Sequence, residues 1–156
     1  MHPHEELLHR FYQGFQRRDH AAMAACYHPE ATFDDAAFSL RGADIGLMWR
    51  MLIERGKDMQ LTYNHLQADE NGGRAVWDAY YSFSQTKRRV HNHINARFTF
   101  KDGKILTHHD HFNFWRWSRQ ALGPIGWLLG WTPFLQQKVR KSAAEGLAQF
   151  KASRGV

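Results

Sequence analysis

The chain has 156 residues, 43 % of them hydrophobic and 14 % aromatic, which fits one domain with one substantial core and excludes a disordered composition. A single cysteine, Cys26, excludes an intrachain disulfide. The net charge of +6 is lopsided: residues 1–114 carry 14 Lys/Arg and 14 Asp/Glu, while residues 115–156 carry seven bases and one acid, Glu145.

The basic tail has no dense Lys/Arg run and the body adds no net charge, so nucleic acid is not an expected partner. The opening MHPHEELLHR has no apolar run of signal-peptide type, and the apolar stretch 122–135 is broken by Gly and Pro and too short to span a bilayer. A cytoplasmic location is the expectation.

Leu7, Leu8, Phe11 and Phe15 recur at helical spacing and predict a helix over 4–18. Asp19 is a natural N-cap for a short helix over 20–27, which His28-Pro29 stops. Ala31-Thr32-Phe33 reads as a strand leading into Asp34-Asp35. A third helix starts near Asp44, carries a stripe of Ile45, Met48, Trp49 and Leu52, and ends at Gly56.

The period then changes to two. Met59, Leu61, Tyr63 and His65 form one alternating set, and Ala75, Trp77, Ala79, Tyr81 and Phe83 a second. Asn92, Ile94, Ala96, Phe98 and Phe100 form a third. Asp102-Gly103 is a strong hairpin signal, and a last strand is expected over 105–117. Helices first and a four-strand meander after them define an α+β chain. Beyond it, an apolar loop, LGPIGWLLGW, precedes a helix with Thr132 as N-cap, Pro133 at its first position, and a stripe of Leu135, Val139, Ala143, Leu147 and Phe150. The expected organisation is a domain over 1–117 and a loop-and-helix extension over 118–156 packed on it.

This order resembles the nuclear transport factor 2-like superfamily, which includes ketosteroid isomerases, SnoaL-like polyketide cyclases and limonene epoxide hydrolases. FYQGFQRRDHAAMAACYHPEATFDD looks like the family's opening helices and first strand, and DGKILTHHDHFNFW like its last hairpin. The resemblance implies a cone-shaped, curved antiparallel sheet packed with N-terminal helices, a cystatin-like α+β roll enclosing a small-molecule pocket. It also implies candidate acids and bases. Asp35 matches the general base of ketosteroid isomerase, whose oxyanion donors would fall at Phe11 and near Ala96. Tyr12 points about 100° away from Phe11 on an ideal helix. Asp110, five residues after Ile105, matches an Asp of limonene epoxide hydrolase, whose other polar residues would fall near Trp77 and Ala79.

Asp35 and Asp110 are therefore the candidate catalytic carboxylates. Two carboxylates in an aromatic cavity can titrate apart, one serving as base and the other as acid. His108 is a candidate proton shuttle beside Asp110, since its reference pKa lies near neutrality. Phe11, Phe15, Trp49, Trp77, Tyr81 and Phe112 are the expected substrate-binding wall, suited to a small apolar molecule. Acid/base chemistry on a carbonyl, enol or epoxide needs no cofactor, and none is expected. His91 and His93, with His109 and His111, can gather on one sheet face, as a metal site requires. The expected reading is a polar outer face, or a dimer interface, without metal.

The sequence leaves the register open. A two-residue Asp102-Gly103 turn pairs Ala96 with His109 and puts Ala96 and Asp110 on opposite faces; bringing them together requires a bulge or a longer turn. The Trp127, Leu128, Leu129 and Trp131 cluster has three readings: packing or closing the pocket mouth, a homodimer contact, or membrane-surface contact. Packing or dimerisation is the expected use.

Overall fold

The structure, a computed structural model, describes residues 1–155. Three helices lead: α1 (Pro3–Gln16), α2 (His20–Ala24) and, after two strands, α3 (Ala43–Arg55). The strands are β1 (Tyr27–Asp34), β2 (Ser39–Arg41), β3 (Gln60–Ala68), β4 (Gly73–Ser82), β5 (Arg89–Lys101) and β6 (Lys104–His111). The tail is α4 (Phe114–Leu122), α5 (Pro124–Leu129) and α6 (Pro133–Ser153). The six strands form one curved, unclosed sheet in the order β2-β1-β6-β5-β4-β3.

The α+β architecture and the C-terminal helix agree with the sequence reading, with three differences. The sheet is mixed, because β1 runs parallel to β6 while the other neighbours are antiparallel. Pro29 lies inside β1, where the β1–β6 register shifts between Tyr27 and Thr32; a residue without an N–H is tolerated at such an irregularity. The third difference concerns the last strand, which stops at His111 rather than running to 117. The Asn113 side chain accepts from the Arg116 N–H at 3.0 Å and caps α4, so the chain turns helical there. α4 thus crosses position 117 and ends at Leu122, and the expected apolar loop is mostly α5.

The β5–β6 hairpin has the geometry that the site needs. Asp102 and Gly103 both have positive φ, 53° and 73°, as a two-residue type I′ turn demands. Lys101 pairs with Lys104, and the register then shifts between Thr99 and Phe100, with Leu106 as the extra residue. Beyond this bulge Ala96 pairs with Asp110 and Phe98 with His108. All four therefore face inward and are buried.

The inner sheet face packs on α1 and α3. Leu8, Phe11, Phe33 and Ile45 are fully buried there, each contributing about 2 kcal/mol of transfer free energy. Leu147 and Phe150 bring α6 into the same core. A smaller cluster of Val90, Trp117 and Ala121 lies under α4. Among the described residues, no helix is long and apolar enough to cross a membrane.

Candidate functional site

Between the inner sheet face, α3 and the tail helices lies a cavity of about 610 Å³. Asp35 and Asp110 both line it, with Phe15, Trp49, Trp77, Tyr81 and Phe112. Trp117, Leu135, Val139 and Ala143 make one wall from the tail. The tail is thus part of the container.

Asp35 sits in the tight turn joining β1 to β2. Its Oδ1 accepts from the Ala37 and Phe38 N–H groups, both at 2.7 Å. The Arg140 guanidinium on α6 donates to the Asp35 and Ala36 carbonyls at 3.1 and 3.3 Å, tying the tail to this turn. The residue keeps some accessible surface because it lines the cavity, yet the protein packed around it desolvates the carboxyl. Desolvation pushes its pKa up to about 7, against the two amides and Arg140, and the charge of Asp110 adds to the rise.

Asp110 is held differently. It is buried, and its Oδ1 accepts from His108 Nε2 at 2.8 Å and from the Trp77 indole N–H at 3.4 Å. His108 Nδ1 lies 2.7 Å from Tyr27 Oη, which also accepts from the Trp49 indole at 3.0 Å. An indole only donates, so Tyr27 Oη accepts from it and its own O–H is left to donate to His108 Nδ1. His108 then carries its proton on Nε2 and donates it to Asp110. Every member of the chain Trp49–Tyr27–His108–Asp110 is satisfied with the imidazole neutral. Burial raises the Tyr27 phenol well above its ordinary pKa and keeps it protonated.

Two expected site residues are placed elsewhere. Phe11 does not line the cavity; it lies behind Trp49, edge-on to Trp49, Tyr27 and His108 at 5.6–5.8 Å between ring centres. His108 is also absent from the cavity wall, its ring enclosed by Phe33 and Phe98 and reaching the site only through Asp110. Conversely, Tyr27 and Asn92 were missed. Asn92 lines the cavity as a polar handle on β5, and its inward phase in the third alternating set was the signal for it. Tyr27 gave no signal, because the sequence reading placed it at the end of α2. Tyr12 stacks on Tyr63 with ring centres 5.0 Å apart and does not reach the cavity.

The outer-face histidines separate into unlike pairs. His91 and His93 both lie 2.8 Å from Asp78 Oδ1, whereas His109 and His111 sit opposite Arg97 and Asn95. Among the described residues, no group of three or more His, Cys, Asp or Glu side chains is arranged to hold a metal ion.

A family model described as a SnoaL-like domain matches residues 8–108. The chain belongs to the SnoaL-like domain family. This places it in the nuclear transport factor 2-like superfamily, and solved structures agree on the fold. The SnoaL-like chain is similar to an NTF2-like protein of unknown function from Burkholderia pseudomallei, at 15% identity and TM-score 0.66, over 77% of this chain and 98% of that one. It is similar to an LEH-like epoxide hydrolase from M. tuberculosis, at 16% identity and TM-score 0.62, over 81% and 95%. A protein of unknown function with a cystatin-like fold from Methylobium petroleophilum is 22% identical, at TM-score 0.59 over 70% and 75%. No curated protein matches the sequence.

Proposed function

We propose that this SnoaL-like protein binds a small apolar molecule in the cavity and performs cofactor-independent acid/base chemistry on it. The substrate class is a carbonyl, enol or epoxide, and the reaction is of the isomerase, cyclase or hydrolase type. One observation carries the reading: two carboxylates in unlike environments enter the same aromatic cavity. A carboxyl that titrates near neutrality can both take and return a proton. Asp35 is that group and acts as the general base. Its Oδ1 is fixed by two amides, which leaves Oδ2 for substrate.

Asp110 handles the second proton. His108 serves it as a positioning residue rather than a shuttle. A proton relayed from Tyr27 through His108 would leave a phenolate where burial disfavours one. The apolar wall gives affinity, while Asn92 and Tyr81 supply polar handles. The LEH-like hydrolase shares this fold and acts on epoxides, which supports including them.

A binding module of the same fold is the second reading, and a specific observation favours it. The positions matching ketosteroid isomerase's oxyanion donors hold Phe11 and Ala96, both buried and apolar. Turnover of a panel of apolar enones, enols and epoxides by wild type, Asp35→Asn and Asp110→Asn separates the two. The expected result is a loss of about 10²-fold or more in each variant, with ligand affinity largely kept. Turnover surviving both substitutions overturns the acid/base proposal. Tight binding with no turnover anywhere in the panel favours the module.

A further inference from the structure

The tail helix α5 is packed inside out. Gly126 and Gly130, four residues apart, face α4, and a Cβ on either would collide with Ser118. The large apolar side chains point the other way. Leu128 is 72 % exposed and Trp131 73 %, with Ile125, Trp127 and Phe134 more than half exposed beside them. An ordinary surface helix buries its large apolar face and shows its small or polar one. A contiguous exposed apolar group of this kind marks an interaction site.

The surroundings of this group are cationic. Arg88, Arg89, Arg116 and Arg119 line a cleft with Gln120 and Trp127. The Arg119 guanidinium lies over both Trp115 and Trp127, whose rings meet edge to face, with its carbon 4.2 and 4.7 Å from the ring centres. Its buried Nε has no hydrogen-bond partner among the described residues. Among the described residues, Arg89 is the one of the four arginines in an ion pair, with Asp58. Lys138 lies over Phe134 at 5.9 Å. From residue 115 onward the chain has one acid, Glu145.

We propose that α5 and the first turn of α6 dock this protein on an anionic lipid bilayer. Trp127, Leu128, Trp131 and Phe134 enter the interface, and Arg116 and Arg119 take headgroup phosphates. Tryptophan and aliphatic side chains beside basic residues suit the boundary between headgroups and acyl chains. The unpaired guanidiniums match its negative surface potential. A protein partner or a second copy fits less well, since neither needs a continuous negative field against Arg88, Arg116 and Arg119, the three arginines of the cleft without an ion pair among the described residues. Ile125 is shared by the exposed group and the cavity wall, so docking sets the cavity beside the bilayer.

The test uses the full chain and sedimentation with two kinds of vesicle, pure phosphatidylcholine and an equal mixture of phosphatidylcholine and phosphatidylglycerol. Binding is expected to the mixture and to weaken as salt rises. The Leu128→Glu/Trp131→Glu variant, altered at the two most exposed positions, is expected to lose about tenfold or more in vesicle affinity. Arg116→Glu, on an exposed side chain, is expected to weaken binding to the mixture and leave any residual binding to phosphatidylcholine unchanged. Circular dichroism of each variant confirms folding. If the wild type binds neither vesicle, or if both folded variants bind as it does, the proposal is overturned. A dimer in light scattering that the Leu128→Glu/Trp131→Glu change dissolves also overturns it, because the face would then belong to a second copy.

Discussion

Asp35 and Asp110 owe their difference to what surrounds each oxygen. Asp35 is wrapped in protein yet fixed by only two amides on one oxygen, so desolvation dominates and its neutral form is favoured up to about pH 7. In the unfolded chain the same carboxyl ionises at its ordinary value of 3.8. Between these values the folded state binds more protons, so the stability contribution is present at low pH and lost as pH rises toward 7. Asp35→Asn removes this dependence and keeps an oxygen for both amides. Urea unfolding at pH 4 and pH 8 is expected to show the variant gaining on wild type at the higher pH. The gain is at most about 4 kcal/mol, at about 1.4 kcal/mol for each pH unit separating the folded and unfolded pKa values. A gain at the lower pH instead would contradict the burial of Asp35. Asp110 became a candidate through its place after Gly103-Lys104-Ile105, but its support did not. Tyr27 and Trp49 meet His108 only because distant segments converge, and neither has a sequence signal for that.

Among the elements, those with clean periodicity were legible, and those that break a period were not. The stripes of α1, α3 and α6 and the alternation in β4 and β5 translate directly into buried faces. The stretch after His111 misled because Phe112 and Phe114 continue a strand phase, while the Asn113 cap starts a helix. The bulge at Leu106 was legible as a requirement rather than a place: Ala96 and Asp110 share a face only if one residue is extra. The close packing of α4 on α5 depends on glycine. Gly126→Ala is expected to cost about 1–3 kcal/mol in urea unfolding, because the Ser118 backbone must yield to the new methyl. Leu128→Ala, which removes an exposed side chain, is expected to stay within about 0.5 kcal/mol of wild type. Equal effects would mean that the α4–α5 contact is looser than the structure has it.

At the scale of the whole molecule, the basic, Trp-rich tail proves not to be an appendage. α4 and α6 form one wall of the cavity, and Arg140 holds the turn that presents Asp35. The charge asymmetry was visible from composition, but its use was not, because composition cannot say which face of α5 points outward. Of the residues expected at the site, Phe15, Trp49, Trp77, Tyr81, Phe112 and the two carboxylates line the cavity while Phe11 and His108 do not, and most of the remaining wall, the tail residues included, had no signal in the sequence. The proposed chemistry requires that Asp35 and Asp110 address one ligand from one cavity. Carbon-13 NMR of the aspartate carboxyls, followed through pH with and without a bound apolar ketone, reads this requirement at both residues. Asp35 is expected to titrate near pH 7, and the ketone to shift the carboxyl signals of both Asp35 and Asp110. A ketone that binds tightly and moves neither signal is incompatible with a shared site.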